Sequence, residues 1–240
     1  VISVQEFTGK TVAVTGAAGN LGRAAARAFA RRGARLALID LDPDALRSAR
    51  EALPEGCESA VFATDLLDPA AVSAMIASVK ARFGGLEVLV NIAGGFAMGP
   101  AVHETTDAQW NAMMDLNLRT VFNCCRAAIP ELPSAGGGCI VNIAARAATR
   151  GTGHMAAYCV SKAAVITLTE SLADELKQCG INVNCILPGT LDTPQNRAAM
   201  PDADHAGWVP LDALADVILF LTSDAARCVT GAAVPVYGRS

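Results

Sequence analysis

The chain has 240 residues, 52% of them hydrophobic, with a mean hydropathy of +0.35 and a formal net charge of −4. That balance excludes a disordered chain, which needs low hydropathy and high net charge, and nineteen basic against 23 acidic residues leave no excess for nucleic acid. A membrane span needs about 18–20 uninterrupted apolar residues, and the most apolar stretch, Leu86 to Val102, is broken by Glu87, Asn91, several glycines and Pro100.

In chain order, Thr8-Gly9-Lys10 leads directly into a strand pattern, so no secretory leader is read there. Short apolar runs rich in valine and isoleucine predict strands at Thr11–Thr15, Arg35–Ile39, Ser59–Ala63, Glu87–Asn91, Cys139–Ile143, Asn182–Leu187 and Ala232–Val236. Helical patterns lie between them, at about 20–32, 43–53, 68–83, 107–130, 155–178 and 210–223. Asp42-Pro43 and Asp68-Pro69 are helix starts, with the acid as cap and proline in the first turn. Gly33 and Gly180 stand where helix ends need a positive φ. The alternation predicts one α/β domain over 1–240, a Rossmann-like doubly wound fold with a seven-stranded, mainly parallel sheet and helices on both faces. Arg27, Arg31, Arg32 and Arg35 read as a solvated face. Eight cysteines form no C-x-x-C pair and share no metal-ligand spacing with His103, His154 or His205, so no metal site is expected. They read as small buried hydrophobes in a reducing cytoplasm.

The first strand runs into Thr15-Gly16-Ala17-Ala18-Gly19-Asn20-Leu21-Gly22 and then a helix. A glycine turn there lets backbone N–H groups meet a pyrophosphate at the helix N-terminus. Gly16 makes the turn, Gly19 permits close approach and Gly22 permits helix–strand packing. Asp40 ends the next strand, 18 residues beyond Gly22. Its carboxylate suits ribose hydroxyls and repels a 2′-phosphate, Asp42 adds to that, and Leu41 rather than an arginine follows. NAD(H) is therefore expected over NADP(H); the competing reading is that Asp40 caps the helix at Pro43. Tyr158 and Lys162 are four apart at the start of a helical pattern and so share one face. A free phenol titrates near pKa ~10, and a neighbouring ammonium is expected to lower that value. By itself such a pair is commonly an amphipathic coincidence; a dinucleotide loop upstream and Asn117 in the preceding helix give it chemical meaning.

Together these residues resemble the short-chain dehydrogenase/reductase family over essentially the whole chain. TGAAGNLG at 15–22 looks like the family's glycine loop, Asp65-Leu66 like its adenine contact, and Asn91-Ile92-Ala93-Gly94 like its NNAG element, with Ile92 replacing the second Asn. Tyr158 and Lys162 match its YxxxK pair, and Asn117 matches the Asn that completes its proton relay. Pro188-Gly189, with Leu191 and Thr193 following, looks like the loop that holds the nicotinamide carboxamide. The resemblance implies that Asn20, Leu21, Leu41 and Ala93 also line the NAD(H) site. It further implies a small-molecule substrate and a homo-oligomer, dimer or tetramer, through the helices at 107–130 and 155–178.

One position departs from the pattern. The family's catalytic Ser lies thirteen residues before the Tyr, and here that residue is Ala145. Thr149 or Thr152 would replace the hydroxyl if the loop folded inward; a catalytically silent NAD(H)-binding regulator is another reading. A subtype resembles the chain more closely here. Quinonoid dihydropteridine reductases use NADH and carry Ala where the Ser should be. Ala93-Gly94-Gly95-Phe96, Ala145-Arg146-Ala147-Ala148 and Thr190 to Leu211 look like theirs. That resemblance implies hydride transfer to a conjugated ring with Tyr158 as proton donor. Phe96 and Trp208 are candidate walls for the ring and His154 a candidate substrate contact. Core or lid packing for the two aromatics, a solvent-facing helix start for His154 and a generic carbonyl or alcohol dehydrogenase stand as alternatives.

Overall fold

The computed structural model describes residues 6–132 and 137–239. Its strands are β1 Thr11–Thr15, β2 Arg35–Asp40, β3 Ser59–Ala63, β4 Val88–Asn91, β5 Gly138–Ile143, β6 Ile181–Pro188 and β7 Ala233–Val236. They form one sheet in the order β3-β2-β1-β4-β5-β6-β7, every neighbouring pair parallel. The helices are α1 Asn20–Ala30, α2 Pro43–Glu51, α3 Pro69–Phe83, α4 Asp107–Met114, α5 Thr120–Ala128, α6 Ala156–Leu176, α7 Pro194–Ala199 and α8 Leu211–Leu221. None among the described residues is long and apolar enough to cross a membrane.

Both faces of the sheet are covered, which explains why the strands read as continuous apolar runs. Val12, Val14, Leu36, Leu38 and Val90 pack with Leu21 and Phe29 of α1, Leu46 of α2 and Ile218 of α8. Their sequence neighbours Ala13, Ala37 and Leu89 point the other way, into Val72 and Val79 of α3, Cys124 of α5 and Val165 of α6. The period of two thus sorts each strand between two cores.

The helix starts obey their caps. Asp42 accepts from the N–H groups of Asp44 and Ala45, and Asp68 from those of Ala70 and Ala71. Gly33 and Gly180 take φ of +83° and +70°. Three expectations change. The helical pattern at 107–130 is interrupted by a π turn at Asp115–Arg119. Within 188–210 a short helix, α7, starts at Pro194 with Thr193 as its cap; six residues are too few to show an apolar period. The cysteines are not uniformly buried: Cys179 and Cys228 are exposed, and Cys57 and Cys139 partly so.

β1 and β4 are the central neighbours from which the chain winds outward in both directions, so their C-terminal ends open a crevice. The buried Thr15 hydroxyl closes its floor, accepting from the N–H groups of Ile92 (3.0 Å) and Ala93 (3.1 Å). Thr15→Val would keep the shape and orphan both donors. It should lower the unfolding free energy by about 1–3 kcal/mol in urea titration.

Candidate active site

The glycine turn fills the crevice above Thr15. Gly16 takes φ +65°, and a Cβ there would sit 2.8 Å from the Ala93 nitrogen. A Cβ on Gly22 would lie 2.1 Å from the Gly16 carbonyl oxygen, so α1 packs onto the turn only through glycine. Gly19 caps α1 with backbone alone, and no acid occupies the first turn. The opening N–H groups of α1, at Asn20, Leu21 and Gly22, are thus offered to an anion. This cradle fits the pyrophosphate of a dinucleotide.

Asp40 is not the cap of α2; Asp42 is. Asp40 instead receives the Ala18 N–H at 3.0 Å and the Leu41 N–H at 2.8 Å, which fixes its carboxylate beside the turn. Arg23 holds the carbonyl of that same residue, donating from Nε to the Ala18 carbonyl and from Nη2 to that of Ala45. Leu41 is exposed. Further along the edge, the Asp65 carboxylate accepts from the Leu67 N–H, and the Asn123 amide donates to the Leu66 carbonyl. Asn123 carries no motif signal; its role appears only when α5 meets the end of β3. Asn91 points inward. Its amide donates to Asn142 and to the Cys125 sulfur, tying β4 to β5 from inside the core.

Asn117, Lys162 and Gly94 meet at one point. A Cβ on Gly94 would stand 2.8 Å from Asn117 Oδ1 and 3.2 Å from Lys162 Nζ. Asn117 lies in the π turn, fully buried; such turns reorient a side chain within a helix and are frequent at functional sites. Its Oδ1 accepts from the Gly95 N–H at 3.0 Å and its amide donates to Ser161 Oγ at 3.3 Å. Ser161 in turn donates to the Tyr158 carbonyl at 2.8 Å. Ser161, one residue from Lys162, was not singled out by any motif, yet it connects Asn117 to the backbone of Tyr158.

The electrostatics differ from the expectation. Lys162 Nζ donates to the Ile143 carbonyl at 2.9 Å rather than pairing with the phenol. Burial pushes Tyr158 up to about 12 and draws Lys162 down to about 8. The phenol is therefore held neutral, because desolvation penalises the phenolate.

On the substrate side, Ala145 is buried and extended at the end of β5. Neither candidate hydroxyl replaces the missing one. Thr149 is exposed and donates to the Arg146 carbonyl, and Thr152 is exposed in the turn before α6. Phe96 is 57% exposed and stands edge-on to Tyr158, ring centres 5.0 Å apart. His154 is exposed with φ +62°, the one left-handed non-glycine among the described residues. Its carbonyl accepts from the Gly99 N–H, joining the Phe96 loop to the foot of α6. Trp208 is only 6% exposed and packs its ring against His205, so it anchors the 188–210 segment rather than forming an open wall. Leu191 pairs with Val209 at the base of that segment. The Thr193 hydroxyl accepts from the Asn196 N–H. Gly189 follows Pro188 where a Cβ would come 2.6 Å from the Tyr237 carbonyl oxygen.

The buried lysine gives a stability test. Its pKa is about 8 in the fold against 10.5 for the free side chain, so the unfolded chain holds the proton more tightly. Folding stability then rises as pH climbs from 8 to 10.5 and is lost as pH falls back through 8. Lys162→Met should raise the unfolding free energy at pH 7 by on the order of 2 kcal/mol, with the advantage vanishing near pH 10.5. Urea titrations at the two pH values check it.

Residues 16–238 match a family model described as enoyl-(acyl carrier protein) reductase. The chain is similar to 2,5-dichloro-2,5-cyclohexadiene-1,4-diol dehydrogenase LinX of Sphingobium indicum, 34% identical and covering 97% of this chain and 96% of that protein. It is similar to D-threitol dehydrogenase of Mycolicibacterium smegmatis, 35% identical, with 96% and 92% covered. Among solved structures, carveol dehydrogenase from Mycobacterium avium in complex with NAD superposes with a TM-score of 0.90 at 26% identity over 98% of both chains. With its glycine turn, Tyr–Lys pair and seven-stranded parallel sheet, the chain belongs to the short-chain dehydrogenase/reductase family, whose members similar to it are oxidoreductases of small molecules.

Proposed function

We propose that the protein is an NAD(H)-dependent oxidoreductase of a small ring-shaped substrate, with Tyr158 donating the proton in the direction of reduction. The observation that carries this reading is the convergence on Gly94 of Asn117 Oδ1 and of Lys162 Nζ, the latter from the helix that bears a neutral Tyr158. When bound, the nicotinamide supplies or accepts the hydride. Tyr158 gives its proton to the reduced substrate, and Lys162, charged below about pH 8, stabilises the phenolate left behind. Asn117 holds the Gly95 turn and, through Ser161, the backbone of Tyr158. The preference for NAD(H) rests on Asp40, whose carboxylate is pinned beside the turn, and on Arg23, the neighbouring cation, which is spent on backbone carbonyls.

A ring-shaped substrate is supported by the mouth of the site. Phe96 and Met98 expose 57% and 64% of their surface in the loop beside Tyr158. Apolar flat surfaces suit a ring better than an open polyol. LinX and carveol dehydrogenase are named for cyclic substrates, although D-threitol dehydrogenase is not. A second reading, a quinonoid dihydropterin reductase, is favoured by Ala145. Reducing an electron-poor conjugated ring builds no alkoxide and needs no hydroxyl there.

A panel of cyclic ketones, cyclic diols and quinonoid dihydropterin, each with NADH or NAD⁺, separates these readings. Tyr158→Phe should cut turnover of the accepted substrate by about 10²–10⁴-fold. Ala145→Ser should raise ketone reduction by about tenfold or more and leave a pterin unaffected. NADH should bind at least about tenfold tighter than NADPH, and Asp40→Ser should narrow that ratio. Retained NADH binding with no turnover across the panel would point to a catalytically silent regulator. For the active enzyme, kcat/KM of reduction should hold below pH 8 and fall above it, as Lys162 loses its charge.

A further inference from the structure

The turn that leads into α6 runs Thr152-Gly153-His154-Met155 and is closed by the Met155 N–H on the Thr152 carbonyl at 3.2 Å. His154 is its third residue and takes φ +62°, whereas Gly153 before it takes no positive φ. A turn with a left-handed third residue is type II, and glycine or asparagine is the usual occupant of that place. Here the glycine stands one position too early, and a histidine carries the strain. An outlier of this kind beside reacting groups points to a contact that depends on it. The imidazole is exposed, and no hydrogen bond of its nitrogens is found among the described residues. The contact is made by the backbone: the His154 carbonyl accepts the Gly99 N–H at 2.8 Å.

Gly99 ends a short loop whose other end is also held, since the Gly95 N–H donates to Asn117 Oδ1 at 3.0 Å. Phe96 and Met98 lie between the two anchors, both exposed. Phe96 closes the circuit by standing edge-on to Tyr158, ring centres 5.0 Å apart. Tyr158 lies in the first turn of α6, four residues after His154. Losing the Gly99 bond would free one end of the loop and, with it, the ring against Tyr158. We propose that His154 is a positioning residue: its left-handed turn latches the Phe96 loop beside Tyr158 and thereby sets how well a substrate fits there. This rests on the reading of Tyr158 as the proton donor. A residue that accepts the same φ keeps the latch, and a β-branched residue, which resists it, opens the latch.

Amide hydrogen exchange at Gly99 reads the latch without a substrate, and kcat/KM on the substrate accepted from the panel reads its consequence. In His154→Val the Gly99 amide should exchange about tenfold faster or more. Its kcat/KM should fall about tenfold, the effect of one hydrogen bond, through KM more than kcat. His154→Asn and His154→Gly accept the left-handed turn and should stay within about twofold of wild type in both measurements. In a Phe96→Ala background, His154→Val should change kcat/KM by less than about twofold, because no ring is left to position. Losses in His154→Asn and His154→Gly as large as in His154→Val would overturn the proposal and place the imidazole itself on the substrate. Unaltered Gly99 exchange in His154→Val would overturn it too, as would a full loss that persists in the Phe96→Ala background. A wild-type protein that turns over nothing in the panel would instead overturn the functional reading, with Gly99 exchange still deciding the latch.

Discussion

The crevice between β1 and β4 is the constraint on which the rest of this molecule depends. Two parallel strands from which the chain winds away in opposite directions cannot both be followed by helices on the same side, so space is left at their C-terminal ends. Thr15 spans that space with one hydroxyl and two accepted N–H groups. The turn at Gly16 then presses against Ala93, and α1 presses against the turn through Gly22. Each contact is closer than a side chain would permit. The anion cradle is thus a packing result before it is a chemical one.

The catalytic side is organised by burial more than by pairing. Lys162 is withdrawn from water and hydrogen-bonded to a backbone carbonyl, while Tyr158 lies under Phe96. Desolvation moves the two groups in opposite directions, the acid upward and the base downward, toward their neutral forms. Such an arrangement stores a proton on the phenol without spending an ion pair to hold it. Asn117 reaches this point because a single π turn rotates it inward between α4 and α5, to the spot where Gly94 leaves room.

Ala145 is buried just past the end of β5 and brings no hydroxyl to the site. The missing hydroxyl is not restored by its neighbours, since Thr149 spends its own on Arg146 and Thr152 faces solvent. Phe96 and Met98 stay exposed beside it, and the segment from Leu191 to Val209 is paired at its base and touches α1 through one pair of amides. His154, in a conformation that costs a non-glycine residue about 1–3 kcal/mol, ties the two loops beside Tyr158 together.

Much of this was legible in the amino-acid order. Strand positions followed from apolar runs bounded by turn residues, and helix starts from Asp-Pro caps, because both are local signals that tertiary contacts did not override. The glycine turn, Asp40, Tyr158 and Lys162 were legible for the same reason: each sits at a defined distance from an element boundary. The role of Asp40 needed the fold, since a cap for α2 and a partner for the Ala18 N–H look alike in sequence. Asn91 was legible as a motif residue but not as an internal tie. Ser161, Asn123 and Gln195 carried no signal, because their partners are 44, 57 and 175 residues away. Sequence alone determined the sheet, the Asp-Pro helix starts and the identity of the chemical groups, all set by local periodicity and turn chemistry. Only the tertiary structure decided which groups are desolvated, which hydroxyls are already spent and which loop closes on which, because those depend on distances between residues far apart in the chain.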